Sequence, residues 1–195
     1  MPSDAEPGKL EDVPRLVEIW EACFNSEMLH ALFPPNEIGR TYLTRAWNWY
    51  MEENSPPKVF VIRDDDGIVQ SGIVIYAQTG EPIKWQDRWA PTIKGMNEEI
   101  FQAFCESLDS QHHAIMGNQP HSFVETLMTH PSAQRQGFGS KLLDRAARVN
   151  PELPTYLDSA ADATGLYQRV GFVRQPEELQ KNPDAIPMLR PAVGK

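Results

Sequence analysis

Apolar residues recur three and four positions apart in "EDVPRLVEIWEACF", where Leu16, Ile19, Trp20, Cys23 and Phe24 share one face. That is the period of an amphipathic helix packed on a core. Asp12 ahead of it predicts an N-cap, and Pro14 suits the first turn, where its missing N–H costs nothing. "FPPN" interrupts the pattern. Tyr42, Leu43, Ala46, Trp49 and Tyr50 resume it, predicting a second helix over 38–53, in which Trp47 and Trp49 read as core aromatics rather than pocket walls. "KVFVIRDDDGIVQSGIVIYAQ" then gives two β-rich runs around Asp64-Asp65-Asp66-Gly67, a tight hairpin. The aspartates are turn formers, because the further oxygen ligands of a calcium site do not follow.

The segment 80–95, "GEPIKWQDRWAPTIKG", is irregular and holds Trp85 and Trp89; it either lies over a site or simply covers the sheet. A third helix is expected over 97–109 with Ile100, Phe101, Phe104 and Leu108 inward. There follow a strand over 121–129, a helix over 137–149, a strand "PTYLDSA", a short helix "DATGLYQRV" and two closing strands in "GFVRQ" and "AIPMLRP". The order predicts a mixed α/β (α+β) fold with a central sheet rather than a doubly wound one.

Length, charge and cysteine usage narrow the function classes. A chain of 195 residues without a repeat or a linker is expected to form a single domain, 1–195. With 18 Lys and Arg against 27 Asp and Glu, the formal charge is -9, which argues against nucleic acid as a partner, since phosphate neutralisation needs clustered cations. Cys23 and Cys105 lie in helical apolar patterns and read as buried thiols, not as a disulfide or metal pair. His112, His113, His121 and His130 lack carboxylate or cysteine partners at ligand spacing, so no metal is expected. The N-terminal segment has neither the basic start nor the apolar run of a signal peptide, and no stretch approaches the ~18 apolar residues of a span. The expectation is a cytoplasmic protein, with nuclear entry open by diffusion, no membrane partner, and a monomeric or homodimeric state.

The chemistry concentrates in "QRQGFGSK", Gln134 to Lys141, between a strand and a helix. A helix start offers unpaired N–H groups and the positive end of the helix dipole, and glycine lets a backbone approach an anion closely. A dinucleotide fingerprint would need a third glycine where Leu142 stands, and a P-loop needs Gly-x-x-x-x-Gly-Lys-Ser/Thr, so both nucleotide readings fail.

The Q-x-x-G-x-G element after "LMTHP", followed by "SKLL" and then "LDSAADATGLYQRVGF", resembles the GCN5-related N-acetyltransferases, the GNAT superfamily. The closing "IPMLRP" and the early "FPP" are similar to a fungal-type subgroup. The resemblance implies a central, mostly antiparallel twisted sheet with helices on both faces and a V-shaped split between two strands. It implies acetyl-CoA as co-substrate, without a metal, bound by a region over 121–173. Leu127, Met128 and Thr129 would meet the pantetheine arm; Gln134, Arg135, Gln136, Gly137, Phe138, Gly139 and Ser140 would hold the pyrophosphate. Tyr167 would protonate the leaving thiolate, and Glu125 would act as general base, with His130 and Asp158 behind it. The family's asparagine seven residues before the tyrosine is here Ala160, and Ser159 stands in for it. The implied activity is acetyl transfer to a primary amine by direct attack in a ternary complex, a small molecule being favoured over a protein acceptor. The alternative is a non-catalytic acyl-CoA-binding module.

Overall fold

A computed structural model describes residues 4–52 and 57–192. In chain order its elements are β1 (Glu6–Pro7), α1 (Val13–Cys23), α2 (Glu27–Leu32), α3 (Glu37–Tyr50), β2 (Lys58–Arg63), β3 (Val69–Gln78), α4 (Glu98–Met116), β4 (His121–Thr129), α5 (Phe138–Ala147), β5 (Thr155–Ser159), α6 (Thr164–Arg169), β6 (Val173–Arg174) and β7 (Ile186–Arg190). The strands form one sheet in the order β1-β2-β3-β4-β5-β7-β6. Every neighbouring pair is antiparallel except β4 and β5.

Alternation along the strands sends side chains to two separate cores. Val59, Val61, Val74, Tyr76, Phe123 and Tyr156 pack with α1, α3 and α4 through Leu16, Ile19, Tyr42, Trp47 and Phe101. Phe60, Ile62, Ile73, Ile75, Val124 and Leu157 pack with α5 and α6 through Phe138, Leu142, Leu143, Ala146 and Tyr167. The sheet therefore carries helices on both faces, as expected.

Its centre is incompletely paired. β4 and β5 share backbone partners at Ser122–Thr155, Phe123–Tyr156 and Val124–Leu157 only. Beyond these β4 continues along β3, while Asp158 and Ser159 pair with β7. The strands thus open a V. At the start of the opening Val74 faces Thr126 and Ile75 faces Val124, so Glu125 is the extra residue of a β-bulge, a device that bends a strand and re-aims its side chain.

Several local expectations need correction. Asp12 does not cap α1: its carboxylate accepts from the Lys9 N–H at 2.9 Å and from Arg63 Nη2 at 2.9 Å, buried beside the sheet. A short helix, α2, forms ahead of the "FPPN" break, in a stretch for which no element was expected, capped by Ser26, whose hydroxyl accepts from the Leu29 N–H at 3.3 Å. α3 starts at Glu37 on an Asn36 cap; residue 53, the expected end of that helix, lies outside the described residues. α4 runs seven residues past the expected Asp109, to Met116. The extension buries Gln111 and His112, polar residues that break an apolar period without breaking the helix. Ile100, expected inward, is exposed, and Cys23 is only half-buried. Among the described residues no helix is long and apolar enough to cross a membrane.

Candidate active site

A cavity of ≈ 230 Å³ occupies the V. Residues from both cores line it: Trp20, Phe33 and Phe101 from one side, Leu127, Ala163 and Tyr167 from the other. It therefore passes through the sheet. A groove of this kind lets two reactants approach from opposite faces and meet between the strands.

Glu125 points into the cavity from the bulge, its side chain 6% exposed. Arg88 Nη1 donates to its Oε2, and Trp89 Nε1 donates to Oε1 at 2.7 Å. Arg88, itself 3% exposed, also donates from Nη2 to Asp109 Oδ1 at 2.7 Å and lies 4.6 Å from the Phe123 ring centroid. One buried guanidinium thus ties the 80–95 segment to β4 and α4. This decides between the two readings of that segment in favour of a cover over the cavity, since Trp85 and Trp89 form part of the wall.

Asp158 lies on β5 where the strands part. Tyr156 Oη donates to its Oδ1 at 2.7 Å and Gln111 Nε2 donates to the same atom at 2.6 Å. Burial, with a smaller push from Glu125, raises its pKa to about 6, against the opposing pull of those two donors and of Arg88. Gln111 is itself fixed, its Oε1 accepting from the Lys181 N–H at 2.7 Å. Behind it His112 stacks on Phe123 and Tyr156, with centroids at 4.6 and 4.5 Å, and meets His121 Nε2 to Nε2 at 2.6 Å. His121 Nδ1 lies 2.6 Å from the Gln119 carbonyl and must donate to it, so in the neutral pair His112 carries the proton between the rings. Burial foremost, then His121, lowers the His112 pKa to about 2.

On the opposite side Tyr167, on α6, is buried and packs edge-on against Phe172, centroids 5.8 Å apart. Burial first, and then Asp162, raises its pKa, so the phenol keeps its proton at any working pH. Cys105 also lines the cavity, and burial, followed by Glu125, pushes its thiol up to about 12. It is no thiolate nucleophile.

The glycine turn follows the end of β4, beyond its last pair with β5, and Gln134, Arg135, Gln136 and Gly137 are exposed. Gly137 caps α5 at φ +84°, a conformation that a β-carbon opposes, and Arg135 stands at φ +63°. The two glycines differ in kind. A β-carbon on Gly137 would meet nothing, whereas one on Gly139 would lie 3.1 Å from Leu166 Cδ2, so Gly139 sets how closely α5 nests against α6. The Lys141 N–H to Gly137 carbonyl bond, 3.1 Å, closes the first turn. The N–H groups of Phe138, Gly139 and Ser140 precede it and have no partner within the helix. Leu127, Met128 and Thr129 lie on β4 beyond the last β5 pair, with β3 on one edge only. The Met128 carbonyl accepts from Ser71 Oγ at 2.7 Å, and that of Thr129 from Cys23 Sγ at 3.1 Å and Gln134 Nε2 at 3.2 Å. Ser159, buried on the cavity wall, donates its hydroxyl to the Ala160 carbonyl at 2.8 Å. His130 is directed away, its Nδ1 2.7 Å from Ser132 Oγ in an exposed turn.

The sequence brings Glu125, Asp158, Ser159 and Tyr167 to one cavity and does not bring His130 there. It gave no hint of Arg88, Gln111 or His112 as parts of the site. A charged residue in an irregular segment and two polar residues past an apolar helix carry no local signal, and only the fold shows what they touch.

Residues 97–174 match the family described as the acetyltransferase (GNAT) domain. No curated protein matches the chain in sequence. Its fold is similar to that of histone acetyltransferase HPA2 and related acetyltransferase from Corynebacterium glutamicum, at 19% identity and TM-score 0.65 over 98% of this chain and 97% of that one. It is also similar to PaiA N-acetyltransferase from Thermoplasma acidophilum, solved in complex with coenzyme A, at 11% identity and TM-score 0.60 over 98% and 99%. The ribosomal-protein-S18-alanine N-acetyltransferase from Escherichia coli matches at 13% identity and TM-score 0.57 over 100% and 96%.

Proposed function

We propose that the chain is a member of the GNAT superfamily, on the match of residues 97–174 and the similar fold, and that it transfers the acetyl group of acetyl-CoA to a primary amine by direct attack in a ternary complex. The observation that carries this reading is the cavity through the split sheet, with Tyr167 and Asp158 on its walls, together with a helix start after the open end of β4 whose first N–H groups have no partner within the helix. The residues present suit the coenzyme. In this reading 1–195 act as one domain with 121–173 as the coenzyme-binding region. The N–H groups from Arg135 to Ser140, opened by Gln134, hold the pyrophosphate, and the free edge of β4 at Leu127, Met128 and Thr129 holds the pantetheine arm. Ser159 keeps its lone pairs available beside them. Acetyl-CoA, when bound, supplies an acyl group activated as a thioester.

Tyr167 holds a proton at Oη and delivers it to the departing sulfur, general-acid work that contributes about 10²- to 10⁴-fold to such reactions. Glu125, with both oxygens accepting from Arg88 and Trp89, is better placed to fix the shape of the acceptor end than to cycle a proton. Neither thiol joins a covalent route, Cys105 because its pKa is pushed up and Cys23 because it donates to the Thr129 carbonyl.

The test pairs calorimetric titration of acetyl-CoA with thiol release over a panel of primary amines. Binding with amine-dependent thiol release is expected. Binding without release for any amine would favour the non-catalytic coenzyme-binding module, and absence of binding would remove the reading altogether.

A further inference from the structure

Resting on the transferase reading above, we propose that the acceptor is a compact primary amine with a flat apolar body, seated on the aromatic wall of the cavity, and that Asp158 takes the proton from its nitrogen. The wall is the first observation. Trp20, Phe33, Trp89 and Phe101 meet one another edge-on or tilted at centroid distances of 5.4–6.3 Å, and Phe24 and Trp85 extend it. Such a preformed apolar surface favours a planar hydrocarbon body over a chain carrying charges along its length. The volume is the second: ≈ 230 Å³ lies below the ~300–1,000 Å³ of pockets that enclose drug-sized ligands. The same space must also admit the thioester, which leaves room for a small acceptor and not for several peptide residues.

The third observation is how the charges are disposed. Glu125, Asp158 and Asp184 line the cavity with Arg88 as their cation, and Asp109 takes part of that cation's charge. The balance favours an ammonium. Glu125 is occupied by Arg88 and Trp89. Asp158, by contrast, receives both Tyr156 and Gln111 on Oδ1, and among the described residues its Oδ2 has no hydrogen-bond partner. The groups facing Asp158 are Tyr156 on its own strand, Gln111 and neutral His112 on α4, Arg88 from the 80–95 segment, Glu125 on β4 and Asp184 ahead of β7. A carboxyl that titrates near 6 is ionised at neutral pH and takes a proton more readily than an ordinary aspartate.

The step balances. The bound ammonium first gives one proton to solvent; the neutral amine nitrogen then bonds to the acetyl carbonyl carbon, and as its basicity falls a second proton passes to Asp158 Oδ2. The carbon–sulfur bond then breaks, and the sulfur takes the Tyr167 proton. Solvent returns one proton to Tyr167 and removes one from Asp158.

The experiment measures thiol release by the full chain with 2-phenylethylamine, a linear polyamine and a short peptide with a free apolar N-terminus, for wild type and Asp158→Asn, from pH 5 to 9. Acetyl-CoA affinity and thermal unfolding are recorded in parallel. The arylalkylamine is expected to exceed the other two in kcat/KM by at least about tenfold, the scale on which one apolar pocket discriminates. Wild-type turnover should fall as pH drops through about 6. Asp158→Asn should lose about 10²-fold in turnover along with that acidic limb, keep its acetyl-CoA affinity, and unfold at a higher temperature than wild type above pH 6. Preference for polyamine or peptide overturns the acceptor class, whereas no turnover of any amine by a chain that binds acetyl-CoA overturns the transferase reading in favour of the coenzyme-binding module. A wild-type pH profile in Asp158→Asn overturns the base. Failure to bind acetyl-CoA overturns the transferase reading itself.

Discussion

The two faces of the sheet contribute to the cavity in different ways. On the α5 face the lining comes from one stretch of chain, 124–167: Val124 and Leu127 on β4, Leu157 on β5, and Ala163 and Tyr167 at α6, with the glycine turn and α5 joining the two strands. On the opposite face Trp20, Phe33, Trp89 and Phe101 come from four separate segments, and Arg88 joins the 80–95 segment to Glu125 on β4 and Asp109 on α4. A site built on one strand–turn–helix unit is held by backbone geometry. One assembled from distant segments is held by packing and by a buried ion cluster, and its contacts can change residue by residue while the other face stays constant.

The assembled face should therefore be the more fragile. Arg88→Leu leaves Glu125 and Asp109 without their cation, and breaking a buried pair this way costs ~3–5 kcal/mol. Denaturant unfolding should show that loss, and Glu125→Gln in the same background should restore part of it, because the stranded charge is then gone. If Arg88→Leu unfolds like wild type, the cluster does not hold that face together.

Tyr167→Phe probes the local face by chemistry alone. It should lower kcat by about 10²-fold while acetyl-CoA affinity and stability stay close to wild type; an unchanged rate would return Tyr167 to the core. Gly139→Val tests the same face by packing. Its β-carbon falls 3.1 Å from Leu166, and overpacking of this kind costs ~1–3 kcal/mol. Leu166→Ala should relieve it. Weakened acetyl-CoA binding without any loss of stability would mean that the glycine serves the ligand and not the helix contact.

The last expected effect is a slope, absent at neutral pH and felt only in acid. His112 is held neutral with a pKa of about 2 against an ordinary 6.5. The stability this provides is complete above pH 6.5 and declines as pH falls from there toward 2, because the unfolded chain then binds a proton that the native one refuses. His112→Phe should flatten the acid limb of a stability-against-pH curve. An identical limb would assign acid sensitivity elsewhere.

This contrast also explains what the sequence made legible. Gly137 at φ +84° is readable because only a few residues tolerate that conformation, and Tyr167 because it stands in "LYQRVGF". The strand bounds 121–129 and the hairpin turn were readable from period and composition for similar local reasons. Asp12 was misread because a carboxylate before a helix has the same sequence signature whether it caps or, as here, pairs with Arg63 from a strand distant in the chain. α4 was cut short because Gln111 and His112 look like surface residues until the polar groups that bury with them are known. Asp158 stood behind Glu125 as a candidate base because nothing in the sequence says that Arg88 occupies the latter.

A crystal structure of the acetyl-CoA complex would test the central claim most directly. It should show the pyrophosphate on the backbone N–H groups between Arg135 and Ser140 and the thioester within the split, between Tyr167 and Asp158. A coenzyme lying outside the V, with β4 and β5 empty between Glu125 and Ser159, would contradict it.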